Sequence, residues 1–272
     1  MRPAFKHFLL YTLLGISALV IFFPILYAVL ASFLRSDQLL VGKMIPTSFS
    51  FENHIKAIQS VPLMKFMTNS IIVSSTVMIG QIIVCSLAAF AIVFIDFKGK
   101  HMIFMLLIST MMIPWEAIMI PNYLTIVHLN WINTYQGLSA PFFALAFGTF
   151  LLRQHFLTIP KDLQECAELE GCGRFRFFAS FVIPLSKPMI SALGVYGFLT
   201  TWNMYLWPLL TTTNNQVRTV QIGLKMMISQ ETSTNWSVVM AGVVIVLIPT
   251  LLFLFLGLKQ LKRGLMAGAV KG

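Results

Sequence analysis

Residues 158–184 read TIPKDLQECAELEGCGRFRFFASFVIP, a polar interruption between long apolar blocks. Thr158 offers a hydroxyl able to cap a helix and Pro160 suits a first turn, so a helix is expected to begin there. The run from Lys161 to Glu170 carries four acids, Asp162, Glu165, Glu168 and Glu170. Gly171 follows, and glycine suits a left-handed stop. A second short helix is expected from about Arg174 to Phe181, cut off by Pro184, which lacks the N–H that a helix interior needs. The stretch therefore reads as two short helices hinged at glycine. Such a pair can seat in a cleft of a partner protein and carry its motion to the rest of the chain. An ordinary solvated connection with a charge run would present the same residues.

Outward from this stretch the chain is apolar. Of 272 residues 57% are hydrophobic and 10% charged, against about 45–50% and about 25% in a soluble domain. The apolar residues come in blocks of the length that only a bilayer makes useful, about 20 residues for a core of about 30 Å. Spans are expected near 9–33, 67–94, 102–127, 136–152, 185–211 and 237–258, with the longest loop at 153–184. Pro24, Gly80, Pro114, Pro121, Gly148, Gly194, Pro208 and Pro249 interrupt them. Interruptions are tolerated where neighbouring helices or a water-lined cavity satisfy the freed backbone. The fold class expected is an all-α bundle of six membrane helices, a single transmembrane domain over 1–272 with no internal repeat.

The net charge of +10 lies in the gaps between blocks rather than on one water-facing patch, which argues for a membrane and against nucleic acid. Six spans put Arg2, Lys6, Lys98, Lys100, Arg153, Lys161, Arg174, Arg176, Lys187, Lys259, Lys262, Arg263 and Lys271 on one side. Arg35, Lys43, Lys56, Lys65, Arg218 and Lys225 fall on the other. Thirteen against six places the first set, both termini and the 153–184 loop in the cytoplasm. Residues 35–65 and 212–236 are then the outer loops. The apolar run from Phe8 to Leu34 is too long for the core of a cleaved signal peptide and is expected to stay as the first span. Cys85, Cys166 and Cys172 lack the spacing of a metal site and read as reduced.

The run Glu165-Cys166-Ala167-Glu168-Leu169-Glu170-Gly171, with Pro184 thirteen residues after the glycine, resembles the Glu-Ala-Ala loop of binding-protein-dependent ABC importer permeases. Cys166 replaces a motif alanine, and Phe181 and Ile183 replace Ile and Leu. Asn69-Ser70, Phe150-Leu151-Leu152-Arg153, Trp202-Asn203 and the ending from Gly264 to Gly272 resemble the carbohydrate-uptake branch, with its maltose-type inner-membrane subunits. The stretches 202–210 and 234–241 look closest to sn-glycerol-3-phosphate importers. The resemblance implies docking of Glu165, Ala167, Gly171 and Pro184 on a separate ATPase. It also implies a second permease subunit, two ATPase subunits, an extracytoplasmic solute-binding protein and a bacterial inner-membrane location among lipid. The solute would be sn-glycerol-3-phosphate or a related glycerophosphodiester, or else a sugar or oligosaccharide.

No phosphate-cradling Gly-x-x-x-x-Gly-Lys-Ser/Thr run occurs, so ATP and its Mg ion are expected on a partner chain. The five histidines are scattered, and no GxSxG elbow appears. No catalytic or metal site is expected. For the solute pathway the candidates are Glu116, the only acid inside an apolar block, and Trp202, Asn203 and Tyr205, which join flat faces to hydrogen-bonding groups. Glu116 could instead sit at the outer interface or bond another helix, and the aromatics could form an interfacial belt. Asn203 is the stronger of the group, because a buried amide needs partners. No span interior offers a cation for a phosphorylated solute. A stand-alone secondary transporter or channel would usually carry repeats or several intramembrane charges, and neither is present.

Overall fold

The structure is a computed structural model that describes residues 3–35, 38–39, 41–46, 49–229 and 234–269, with side chains between 7 and 257 of those ranges. Arg2, Lys271 and the last three residues of the C-terminal resemblance lie outside the described residues, as do positions within the two proposed outer loops. The side chains of Lys6, Lys259, Lys262 and Arg263 lie outside them too.

The described elements are all helical. Three apolar runs form single long helices, Pro3–Ser32, Leu63–Phe94 and Trp236–Ala269. Their membrane-length parts are 26, 32 and 22 residues, and each holds an 18-residue stretch of mean hydropathy 2.6, 2.5 and 2.9 respectively. Each is long enough to cross about 30 Å of hydrocarbon at 1.5 Å per residue.

The other three apolar runs are bent pairs, so the described residues hold up to six spans. Lys100–Met112 meets Trp115–His128 at 102°, Tyr135–Phe142 meets Ala146–Phe156 at 46°, and Arg174–Leu185 meets Lys187–Trp202 at 79°. Each break has a local cause. Pro114 is extended at φ −64°, ψ 140°, and a proline supplies no N–H to continue the preceding helix. Leu145 is also extended, after a 3₁₀ turn containing Pro141. Ser186 stands before Pro188 in the first turn of the next helix. A further break at 203–205 separates Lys187–Trp202 from Leu206–Thr211.

The chain divides into two compact units. In the unit of residues 1–64 and 223–248, the amphipathic helix Glu52–Ser60 is fastened by buried Asn53, whose Nδ2 donates to the carbonyls of Ser32 and Leu34 at 2.9 and 2.8 Å. Those carbonyls close the long first helix, where four C=O groups lack helical partners. Phe33, Phe51 and His54 pack beside them.

In the unit of residues 65–222 and 249–272 two apolar cores form. One gathers Cys85, Ala89, Phe90, Leu152, Phe156, Ala167, Phe177 and Leu193; the other gathers Val73, Val77, Ile126, Leu138, Trp207 and Val217. The second is pinned by Asn69, buried at the start of the long helix. Its Nδ2 donates to the carbonyls of Gln216 and Arg218 at 2.9 and 3.0 Å, and its Oδ1 accepts from the Tyr135 hydroxyl at 2.7 Å. Next to it the Ser70 hydroxyl accepts from the Val220 N–H at 2.8 Å. Asn69→Ala strands these groups and is expected to lower stability by about 2 kcal/mol. Denaturant unfolding of the detergent-solubilised protein measures the loss, and an unshifted midpoint would show the network to be dispensable.

Candidate functional site

Two of the helix breaks and the break at 203–205 meet around a cleft of about 400 Å³. Its lining includes Gln81, Trp115, Glu116, Phe142, Thr200, Thr201, Tyr205 and Trp207. A neighbouring cleft of about 460 Å³ shares Gln81, Trp115 and Phe142. Both volumes lie in the range of small-solute sites, about 300–1,000 Å³. Helices can break at membrane depth only where the freed backbone is buried in protein or lines a wet cavity.

One wall is aromatic. Trp115 lies 4.6 Å from Phe142, and both meet the Trp207 ring at 5.7 and 6.0 Å. Trp207 is fully buried and its Nε1 donates to the Gly137 carbonyl at 3.0 Å, which fixes the wall. Gly137 is required there, because a Cβ would collide with the Trp131 carbonyl. Gln81, 4% exposed, donates from Nε2 to the Phe142 carbonyl at 2.9 Å. Its Oε1 is buried and takes no hydrogen bond among the described residues, and a Cβ at Gly197 would strike it.

Glu116 and Tyr205 both line this cleft. Glu116 is exposed in the first turn of Trp115–His128 rather than inside a continuous span, and unpaired N–H groups at a helix start favour a carboxylate. Trp202 and Asn203 are not in the lining. Trp202 is 1% exposed and stacked on Phe198, itself 3.9 Å from Phe253. Asn203 is exposed, not a buried amide awaiting a solute. It ends the helix, and its Nδ2 donates back to the Leu199 carbonyl at 2.8 Å. Sequence reasoning missed Gln81, Thr200 and Thr201. A lone amide in the apolar block 67–94 and paired hydroxyls beside Trp202 were the available signals.

The second site is the 158–184 loop. Its first helix, Lys161–Leu169, is not capped by Thr158, whose hydroxyl donates to the His155 carbonyl at 2.7 Å to close the preceding helix; extended Pro160 takes the cap position. The glycine stop is as expected. Gly171 has φ +70°, its N–H donates to the Glu168 carbonyl at 3.0 Å, and the Cys172 N–H donates to the Ala167 carbonyl at 2.8 Å. These two bonds are the Schellman closure, and Cys172 packs against the cluster that buries Ala167, the usual apolar contact across such a turn.

Beyond the glycine, Pro184 does not terminate the second helix. Arg174–Phe177 continues through a π turn, Phe178–Val182, and Pro184 sits inside Ile183–Leu185. A widened turn disrupts the regular i→i−4 ladder just where the proline lacks a donor. Phe177 and Phe178 pack on Phe94 and Phe90 at 5.5 and 5.0 Å. Ala167 faces the same core, while Glu165, Cys166, Gly171 and Pro184 are exposed, with Leu169 at 88% and Phe175 at 77%. Lys100 donates to Asp96 at 2.7 Å just before the next helix. That bond and charge hold the Asp96 carboxyl below its ordinary range, with Lys161 and Arg174 adding weakly. No group of His, Cys, Asp and Glu able to hold a metal occurs among the described residues.

Residues 81–264 match the family described as binding-protein-dependent transport system inner membrane component. The sn-glycerol-3-phosphate transport system permease protein UgpE of Brucella abortus (strain 2308) is 38% identical over 263 residues, 93% of each chain. The same-named protein of Rhizobium meliloti (strain 1021) is 36% identical over the same share. Among solved structures, a chain of a bacterial ABC transporter involved in import of the acidic polysaccharide alginate superposes with a TM-score of 0.86 at 21% identity. That match covers 95% of this chain and 98% of the other, and speaks for the fold. With its broken helices around a cleft and its glycine-hinged loop, the chain belongs to the inner-membrane permease family of binding-protein-dependent ABC importers.

Proposed function

We propose that this permease subunit carries sn-glycerol-3-phosphate, or a related glycerophosphodiester, into the cytoplasm. The observation that carries the reading is the 36–38% identity, over 93% of the chain, to permeases named for that solute. The chain pairs with a second membrane subunit, takes solute from an extracytoplasmic binding protein, and is driven by two ATPase subunits that hold ATP and Mg. The thirteen-to-six charge asymmetry supports cytoplasmic termini and a cytoplasmic 158–184 loop.

Glu165, Ala167, Gly171 and Pro184 form the coupling element in this reading. Exposed Glu165, Leu169 and Phe175 offer a mixed acidic and apolar face to an ATPase, while buried Ala167 and the phenylalanine cluster seat the loop on the bundle. ATPase closure moves the loop, and the phenylalanine contacts pass that motion to the helix Leu63–Phe94. Glu116 and Tyr205 line the pathway; Trp202 and Asn203 support it from behind, where the Trp202 carbonyl accepts from Gln221 Nε2 at 3.3 Å. A sugar or oligosaccharide is the second reading, favoured by a cleft whose described lining holds no Lys, Arg or His.

Uptake of labelled sn-glycerol-3-phosphate, dependent on ATP and on the binding protein, tests the assignment in proteoliposomes containing the assembled importer. Passive or ion-driven flux through this chain alone would overturn it. Gly171→Pro removes the N–H given to Glu168 and forces φ from +70° to about −65°. It is expected to abolish stimulation of ATP hydrolysis by loaded binding protein, or to prevent assembly. Gly171→Ala, in open space, costs only backbone strain of about 1 kcal/mol and should assemble with weakened coupling. Normal coupled transport in the proline variant would remove the hinge from the mechanism.

A further inference from the structure

We infer that the 400 Å³ cleft is a hydroxyl-recognising face, which holds the polyol end of the solute while an anionic end points away from this chain. The inference rests on the reading of the cleft as solute pathway.

The polar atoms of the lining are mostly acceptors. Thr200 spends its single hydroxyl proton on the carbonyls of Tyr196 and Gly197, at 2.8 and 3.2 Å, and Thr201 spends its own on Gly197 at 2.8 Å. Each oxygen then keeps only lone pairs to offer. Glu116, when ionised, accepts and cannot donate. Two N–H groups are already used: one of the pair on Gln81 Nε2, given to Phe142, and the Trp207 indole, given to Gly137. The remaining side-chain donors, the second N–H of Gln81 Nε2, the phenols of Tyr196 and Tyr205 and the Trp115 indole, are neutral.

A solute hydroxyl is both donor and acceptor, so it can give to Glu116 or a threonine and take from a phenol. A phosphate is ionised and accepts strongly; it seeks Arg, Lys or arrayed N–H groups. Here it would meet a carboxylate, with no cation in the described lining. The half-buried rings of Trp115 and Phe142, backed by fully buried Trp207, suit the C–H face of a polyol. Gln81 is a positioning residue, since its bond to the Phe142 carbonyl holds that wall at the helix break.

The assembled importer in proteoliposomes tests the assignment with sn-glycerol-3-phosphate and with propyl phosphate, which keeps the phosphate and lacks both hydroxyls. Each is supplied at a concentration that saturates the binding protein, so selection by that protein is held constant. Glu116→Gln exchanges a charged acceptor for a neutral one and is expected to slow uptake of sn-glycerol-3-phosphate about five-fold, while propyl phosphate changes less than about two-fold. Thr201→Val, nearly isosteric, should give the same selective loss at smaller size.

Faster uptake of both solutes in Glu116→Gln would mean that the carboxylate repels a phosphate seated in the cleft. Equal loss of both would mean a role in the fold. Either result, or no change, overturns the inference. Should the unaltered importer move neutral sugars but no phosphate ester, the substrate reading fails by itself. The comparison then runs with a transported sugar and its deoxy form, where the same selective loss supports the cleft assignment.

Discussion

A peptide group taken into hydrocarbon must find its hydrogen bond within the protein, and this constraint governs where the chain can bend. The three uninterrupted helices satisfy it by themselves. Every break creates loose N–H and C=O groups, and the structure answers with a side chain at several of them. Asn53 serves the end of the first helix and Gln81 the carbonyl of Phe142. Asn133, in the left-handed region at φ 59°, accepts from the N–H groups of Thr213 and Asn214 at 2.8 and 3.3 Å and donates to the Thr213 hydroxyl. The amides that sit in or beside apolar blocks are therefore the carpentry of the breaks. The cleft lies where the breaks at 113–114, 143–145 and 203–205 meet, and Gln81 ties one of them.

The loop obeys a different rule: it buries one face and leaves the other exposed. Its inner face is apolar and interdigitated with Phe90, Phe94 and Phe156; its outer face carries acids and two exposed hydrophobic side chains. The Schellman closure at Gly171 shapes the corner between the two short helices.

Much of this was legible in the residues. Gly171 announced a left-handed stop because the acids before it read as helix and glycine alone pays no Cβ penalty there. The apolar blocks gave the helices. What escaped was geometry that composition does not encode. Pro114 reads as a tolerated interruption, yet it is the corner of a 102° bend. Thr158 reads as a cap, but its hydroxyl found the carbonyl three residues back, a competition between local bonds that spacing cannot decide. Pro184 reads as a terminator because a π turn has no sequence signature. At the cleft, Glu116 and Tyr205 were visible as polar groups among apolar ones. Trp202 looked equivalent to them and Asn203 stronger, since nothing in a linear string reveals which side of a helix end faces a cavity.

The exposures of the three cysteines carry a practical meaning. Cys85 is buried, Cys172 is half-covered, and Cys166 is exposed on the outer face of the loop helix. A thiol-directed label therefore meets its most accessible natural target on the segment read as the transmission element. The unaltered chain supplies its own attachment point for a spectroscopic reporter, which would reveal any movement of the loop without introducing a foreign residue.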